Sequence, residues 1–221
     1  MTTTKAVSFQ AKGMHMKLYV TYTSPYARLA RILVIEKGLG GRVEIVEAKT
    51  RTPGSPYYAI NPSGRVPYLV DAGGVGMEDS QVICAYLDGL DGKPRFHPSN
   101  GPDWPHRRLE ASARSMLDGI AVWAREMARP ESERSPTTLT HEQARVGRMA
   151  DLFESAVSQP VLQGETNMAQ LVLAVAIETA RLRKFGDLTD GRPKLAAWHA
   201  PFAQRPSMQA TAPPTARQTR A

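Results

Sequence analysis

Two neighbouring hydroxyls, Thr23 and Ser24, stand between a short apolar run and a proline in the stretch Tyr22-Thr23-Ser24-Pro25-Tyr26-Ala27-Arg28. A hydroxyl at such a place can donate to an anion, and its neighbours suggest that an anion would be welcome. Leu18, Val20 and Tyr22 alternate with Lys17, Tyr19 and Thr21, the period of a strand. Pro25 suits the first residue of a helix, and Tyr26, Leu29, Ala30, Leu33 and Val34 then recur on one helical face until Lys37-Gly38 stops the pattern. The hydroxyls therefore sit where a strand meets a helix N-terminus, among unpaired N–H groups and at the positive end of the helix dipole. Taken alone the signal is weak, because a serine that only caps a helix looks the same.

Two further constellations add to it. Asn61-Pro62-Ser63-Gly64-Arg65-Val66-Pro67 leads straight into the strand-like run Tyr68-Leu69-Val70. A cis bond before Pro67 would turn the Val66 N–H and C=O outward as an edge for an extended peptide, whereas a trans proline would merely begin the strand. Glu78-Asp79-Ser80-Gln81 opens another helix; a carboxylate, a hydroxyl and free N–H groups there suit a head group bearing both an ammonium and a carboxylate, and they also suit a plain helix cap.

The 221 residues allow one large or two small domains with a real core, and 42% hydrophobic with 22% charged residues is a globular balance. The longest apolar run, Leu171 to Ile177, falls far short of the roughly 20 residues that span a bilayer. Residues 1–15 are polar and precede a second possible start at Met16, so they read as an extension outside the fold. The single cysteine, Cys84, excludes an internal disulfide and a cysteine-rich metal site; among Val82, Ile83, Ala85 and Tyr86 it reads as a buried small hydrophobe, in keeping with a reducing, cytoplasmic setting. The net charge of +7 is spread among acids and a terminal tail, without the basic block and interleaved aromatics that mark nucleic-acid binding, and it favours small anionic ligands.

From Lys17 to about Leu90 the order reads β-α-β-(α)-β-β-α, with strands at 43–46, 66–70 and 75–77 and a helix from Asp79-Ser80 to about Leu87. Residues 91–103, rich in Gly, Pro and Asp, read as an inter-domain linker. The rest is helical: 104–129, 141–157, a central buried helix 167–185 opened by Asn167 and Gln170 at capping-box spacing, and 194–204; residues 208–221 read as a surface tail.

Together the three constellations resemble the glutathione transferase superfamily, in particular its bacterial members with a Ser-Pro-Phe/Tyr-x-Arg start, an Asn-Pro-x-Gly-Lys-Val-Pro turn and an Asp-Ser-x-x-Ile-Cys helix. Ser24-Pro25-Tyr26-Ala27-Arg28, Asn61 to Pro67 and Asp79-Ser80-Gln81-Val82-Ile83-Cys84 carry the likeness, which runs from Lys17 to about Thr211. The resemblance implies an α/β thioredoxin-like N-terminal domain over 16–90 and an all-α C-terminal domain over 104–207. It implies glutathione as co-substrate with no permanently bound cofactor and no metal, a small hydrophobic electrophile, and a homodimer without nucleic-acid or membrane partners. By the same resemblance, Val66 beside a cis Pro67 pairs with the cysteinyl unit of glutathione, and Asp79 or Glu78 with Ser80 holds the γ-glutamyl head; Arg65, Lys49 and Arg51 are candidates for its glycine carboxylate, each also readable as a solvated surface cation. Ser24 or Thr23 hydrogen-bonds the sulfur, with Ser24 favoured because it directly precedes Pro25. Lowering a thiol pKa by about two units takes roughly 2.7 kcal/mol; a charge-assisted hydrogen bond of about 1.5–3 kcal/mol with a dipole term of about 0.3–1 kcal/mol supplies it. With Ser24 and Ala27 at the ends of what would be Cys-x-x-Cys, no thiol remains for disulfide exchange.

The electrophile pocket is expected between the domains, lined by Tyr22, Tyr26, Met116, Ile120 and Trp123. Asn167 and Gln170 replace the Ser/Thr and Asp with which the family usually opens that helix, which predicts a weaker cap. A glutathione transferase acting by substitution or addition is the first reading; a non-catalytic glutathione-binding module, or a specialised isomerase, dehalogenase or ether-cleaving enzyme, are the alternatives.

Overall fold

The computed structural model describes residues 15–91, 94–97 and 103–214. The extension expected over 1–15 and the end of the tail therefore lie almost wholly outside the described residues. The chain begins with β1 (Met16–Val20), whose Met16, Leu18 and Val20 point into the core while Lys17 faces solvent. β2 (Val43–Glu47) pairs with it in parallel, β3 (Tyr68–Val70) pairs on its other side antiparallel, and β4 (Gly76–Glu78) closes the edge antiparallel to β3, giving the order β2-β1-β3-β4. Leu18 stands opposite both Ile45 and Leu69, so the central strand places its apolar face between two apolar neighbours.

Helix α1 (Pro25–Glu36) connects β1 to β2, the short α2 (Tyr57–Ile60) precedes β3, and α3 (Ser80–Gly89) follows β4 and packs against α1. Gly38 ends α1 in the left-handed conformation, φ 63°, which only glycine adopts without strain. This mixed four-stranded sheet with its helices is the thioredoxin-like arrangement, and the remaining elements are helical. They are α4 (Trp104–Met127), α5 (Pro136–Ala156), α6 (Pro160–Gln163), α7 (Met168–Leu182), α8 (Pro193–Ala203) and α9 (Pro206–Ala210).

Helix α7 is the centre of the helical part. Every residue from Met168 to Ile177 is buried, because α1, α4, α6 and α8 all pack around it. Its cap is not weak. Asn167 accepts from Gln170 N–H at 3.2 Å, and Gln170 Oε1 accepts from Asn167 N–H at 3.1 Å. The Asn167 amide also donates to Val161 O at 2.7 Å, tying the cap to α6. Helix α5 starts five residues before the expected His141, since Ser135 caps it by accepting from Thr138 N–H at 3.2 Å and Pro136 takes its first turn.

Two segments expected to be loosely held are anchored. In the stretch read as a linker, Phe96 is buried in the core and accepts from Met168 N–H. The buried Lys37 Nζ pairs with Asp88 and Asp91 and donates to the carbonyls of Asp88 and Pro94. Of the residues read as a surface tail, Met208 and Thr211 are buried, which corrects that reading at its start; 215–221 lie outside the described residues. The reason is Arg28, whose guanidinium lies 1% exposed in α1. A buried cation needs acceptors, and the returning chain supplies Met208 O at 2.9 Å and Thr211 Oγ1 at 3.3 Å, beside Glu178 of α7.

Candidate active site

Ser24 is the N-cap of α1. Its backbone is extended (φ −81°, ψ 121°), and its Oγ accepts from Ala27 N–H at 3.2 Å. A hydroxyl that accepts through a lone pair still has its proton to donate. Capping and anion binding are thus compatible uses of one group. Thr23 is more exposed, and its carbonyl receives Nη2 of Arg183, from the end of α7, at 3.4 Å.

The Val66–Pro67 peptide is cis, and Pro67 is buried. Among the described residues the Val66 main chain makes no hydrogen bond, while the strand beyond it is fully paired with β4. The turn before it is braced by residues that sequence reasoning did not single out. Tyr57 Oη and Asn61 Nδ2 both donate to Arg65 O, the latter at 3.0 Å, and Ser63 Oγ donates to Glu78. Glu78 thereby holds the turn, whereas the Asp79 side chain is used only as a helix cap. Asp79 caps α3 by accepting from Gln81 N–H at 2.7 Å, and its φ of 75° is rare outside glycine. Ser80 is buried and accepts from Arg114 of α4 at 3.2 Å, and Arg114 is held in turn by Glu110.

Helix α4 forms the facing wall, but not with the expected side chains. Arg114 reaches Ser80 and Asp118 accepts from Tyr26 Oη; with Arg125 these lie at i, i+4 and i+11, on one helical face. Met116 and Ile120 lie on the opposite side and are fully buried in the core, so their assignment to the pocket is corrected. Trp123 belongs to that same inner side and stacks on Phe185 (centroids 3.9 Å apart, 5° between planes) at the end of α7. The physical reason is general: an apolar stripe at helical spacing marks the face that packs inward. Tyr26 reaches α4, where its hydroxyl donates to Asp118. Burial, and then the bond to Asp118, push its hydroxyl pKa upward, so it stays protonated and donating. Tyr22 is half-buried and covered by the Arg31 guanidinium, 4.7 Å from the ring centroid. Cys84 is fully buried, and burial pushes its thiol up to about 12, which makes it inert at neutral pH.

A cavity of about 550 Å³ lies elsewhere, between the start of α7 and α8, where Gln163, Thr166, Trp198 and Phe202 are among its lining. It shares no residue with the cleft beside Ser24.

A cap with a spare hydroxyl proton, an unpaired main-chain edge beside a cis proline and a second capped helix thus lie at one end of the sheet, and known proteins carry the same frame. Residues 18–95 match the family described as the glutathione S-transferase N-terminal domain. The chain is 30% identical over 205 residues to the uncharacterized GST-like protein YibF of Escherichia coli K12, covering 91% of this chain and all of that protein. It therefore belongs to the glutathione S-transferase family. Among solved structures, a glutathione transferase family member from Pseudomonas fluorescens Pf-5 with bound glutathione is 27% identical over 90% of this chain and all of its own, with a TM-score of 0.83. A structure with S-(propanoic acid)-glutathione bound, from the same organism, superposes with a TM-score of 0.81 at 28% identity over 90% of this chain and all of its own. The glutathione S-transferase of Methylobacillus flagellatus KT with glutathione bound gives 0.82 at 27% identity, again over 90% and all of the two chains. Among the described residues no helix is long and apolar enough to cross a membrane.

Proposed function

We propose that this protein is a glutathione transferase that stabilises the thiolate of bound glutathione and presents it to a small electrophile in the cleft between β1–α1 and α4. The observation that carries the reading is Ser24, whose Oγ is used as an acceptor by the helix cap and whose proton remains for a sulfur at the positive end of α1. The main chain of Val66 takes the cysteinyl unit as an added strand. Asp79 takes the γ-glutamyl ammonium, and Ser80, with the N–H groups at the start of α3, takes its carboxylate. Arg65 stands nearest the glycine end. Solved relatives with bound glutathione or a glutathione conjugate support this assignment.

In the reaction the thiol proton leaves to solvent, helped by Ser24 and the α1 N-terminus. The thiolate then forms a carbon–sulfur bond, with loss of a leaving group as an anion or with later protonation of the adjacent carbon. The Tyr26 hydroxyl, whose proton goes to Asp118, keeps lone pairs that can accept from a donor group on the acceptor.

A homodimer is part of the proposal. Val75, Val82 on the outer face of α3, and Trp104 at the start of α4 expose large apolar side chains, Trp104 by 69%, and a second copy would cover them. The test is turnover of a generic aromatic halide with glutathione. Ser24→Ala is expected to lower kcat/KM about tenfold to a hundredfold, and Thr23→Ala far less. Equal activity of Ser24→Ala and wild type would remove Ser24 from the mechanism.

A further inference from the structure

The peptide that links Arg65 to Val66 leads into the open edge. It is trans and planar, so its carbonyl and its N–H point in opposite directions. Whatever holds the Arg65 carbonyl therefore aims the Val66 N–H. Two side chains hold it. Tyr57 Oη donates to Arg65 O, and Asn61 Nδ2 donates to the same oxygen at 3.0 Å, so both of its lone pairs are used. Tyr57 and Asn61 are only 4% and 3% exposed, so the carbonyl faces the interior and the N–H faces away from it. Val66 is half-buried, and among the described residues its N–H has no partner.

The two donors are themselves fixed. Tyr57 opens α2 and Asn61 follows its last residue, four positions on and hence on the same side of the turn. Asn61 N–H donates to Tyr57 O at 2.9 Å, and the Tyr57 ring pairs with that of Tyr19 in β1, centroids 5.7 Å apart. The Asn61 amide cannot turn over without loss. Its second hydrogen goes to Glu78 Oε2 at 3.4 Å, and its oxygen accepts from Ser63 N–H at 3.2 Å. One donor would satisfy a buried carbonyl. Two donors, one tied to β1 and one to the end of β4, also oppose rotation of the peptide plane. Such a rotation would turn the N–H inward and offer an acceptor where the edge now offers a donor.

We infer that Tyr57 and Asn61 are positioning residues for glutathione: by pinning the Arg65 carbonyl they aim the Val66 N–H at the carbonyl of the cysteinyl unit. This role rests on the glutathione transferase reading above and deepens it. Neither side chain needs to touch the ligand, since each acts through the Arg65–Val66 peptide. Burial pushes the Tyr57 pKa upward, so its hydroxyl keeps the proton it donates at neutral pH.

The test compares two ligands that differ in one group: γ-glutamylcysteinamide, and γ-glutamylcysteamine, which has hydrogen in place of the carboxamide. Glutathione is the reference. Affinities are measured by calorimetry on the full chain, as wild type, Tyr57→Phe, Asn61→Ala and the double variant. A loss of folded protein weakens both ligands alike, so the ratio of the two affinities within one protein reports the carbonyl contact alone. In the wild type the amide is expected to bind about tenfold more tightly, the worth of one main-chain hydrogen bond. Tyr57→Phe should lower that ratio to about threefold, and the double variant should bring it close to one. In turnover, Tyr57→Phe should raise KM for glutathione with little change in kcat. If Asn61→Ala does not fold, Tyr57→Phe, which removes a single hydroxyl, decides alone. A wild-type ratio that persists undiminished in the variants overturns the positioning role. If glutathione binds but the wild type holds the two ligands equally well, the Val66 N–H takes no carbonyl and the role falls, while the glutathione reading stands. If glutathione itself does not bind, that reading fails and takes the positioning role with it.

Discussion

One hydroxyl serves two needs at Ser24. As acceptor it completes the first turn of α1, and as donor it is free to meet a sulfur. This economy explains why Ser24→Ala should act on both stability and chemistry, and why Thr23, which lends the fold only its carbonyl, should matter less. The lone cysteine makes the complementary point. Cys84 is fully buried with its thiol pushed up to about 12 by burial, so iodoacetamide is expected to leave the folded protein unmodified at neutral pH and to label it fully in denaturant. Rapid labelling of the native protein would mean that α3 opens far more readily than its packing indicates. The residues of the proposed site were legible as local features. Ser24, Val66, Asp79 and Ser80 announce themselves through a proline after a hydroxyl, a proline at a strand start, and an acid and a hydroxyl before an apolar helix. Asn61, Tyr57 and Ser63 were missed as braces because each acts across a turn on a carbonyl or a carboxylate that no spacing rule identifies. A polar asparagine inside the turn motif was the one available hint.

At the scale of elements, the least legible feature was which face of α4 looks at the cleft. Its apolar stripe points to Met116, Ile120 and Trp123; Met116 and Ile120 are core, and Trp123 is half-buried against Phe185. The opposite face, with Arg114 and Asp118, reads in sequence as a solvated one. Only the contacts of Tyr26 and Ser80 with it show otherwise. Arg28 was hidden for a similar reason: its acceptors come from 150 and 183 residues further along the chain. Removing that cation leaves Glu178 and the Met208 carbonyl without their donor, so Arg28→Met is expected to cost about 3 kcal/mol or more in denaturant unfolding. A loss below about 1 kcal/mol, the range of exposed pairs, would show that the network adds little. Next to it, the buried His199 accepts Arg181 Nη1 at 3.2 Å through Nδ1 and lies 3.8 Å from Glu178. Burial first, and then the Arg181 charge, lower its pKa from 6.5 to about 4. The unfolded chain therefore binds a proton that the folded chain refuses, and stability should fall as pH drops through the window from about 6.5 to about 4. Melting temperatures measured across that range should decline less steeply in His199→Gln. Identical slopes would assign the acid sensitivity to other groups.

For the molecule as a whole, the sheet edge and the helical bundle are useful only together. The sheet supplies the Val66 edge and two capped helices; α4 reaches Ser80 through Arg114, and Arg183 at the end of α7 reaches the Thr23 carbonyl. The parts are fastened by buried polar contacts: Arg28 from α1 to α7 and α9, Lys37 to the segment before α4, and Arg205 from the α8–α9 turn to Glu36 of α1. The two-part α/β then all-α order was readable from hydrophobic periodicity. The anchoring of the connecting segment and of the chain after Arg205 was not, because Gly- and Pro-rich composition reports flexibility of the unfolded chain rather than what a distant lysine or arginine will hold. Exposed Val82 and Trp104 belong to this scale as well. If a second copy covers them, light scattering should report a dimer for the wild type and a monomer for Val82→Asp. A wild-type monomer at micromolar concentration would end the dimer proposal.

Ser24 and the α1 N-terminus are proposed to lower the pKa of another molecule's thiol. The ultraviolet absorbance of thiolate, followed by pH titration of the glutathione complex, reads that pKa directly. The bound thiol is expected about two units below free glutathione in the wild type, and near the value of free glutathione in Ser24→Ala. A wild-type complex whose thiol titrates like free glutathione would remove Ser24 and the α1 N-terminus from this role.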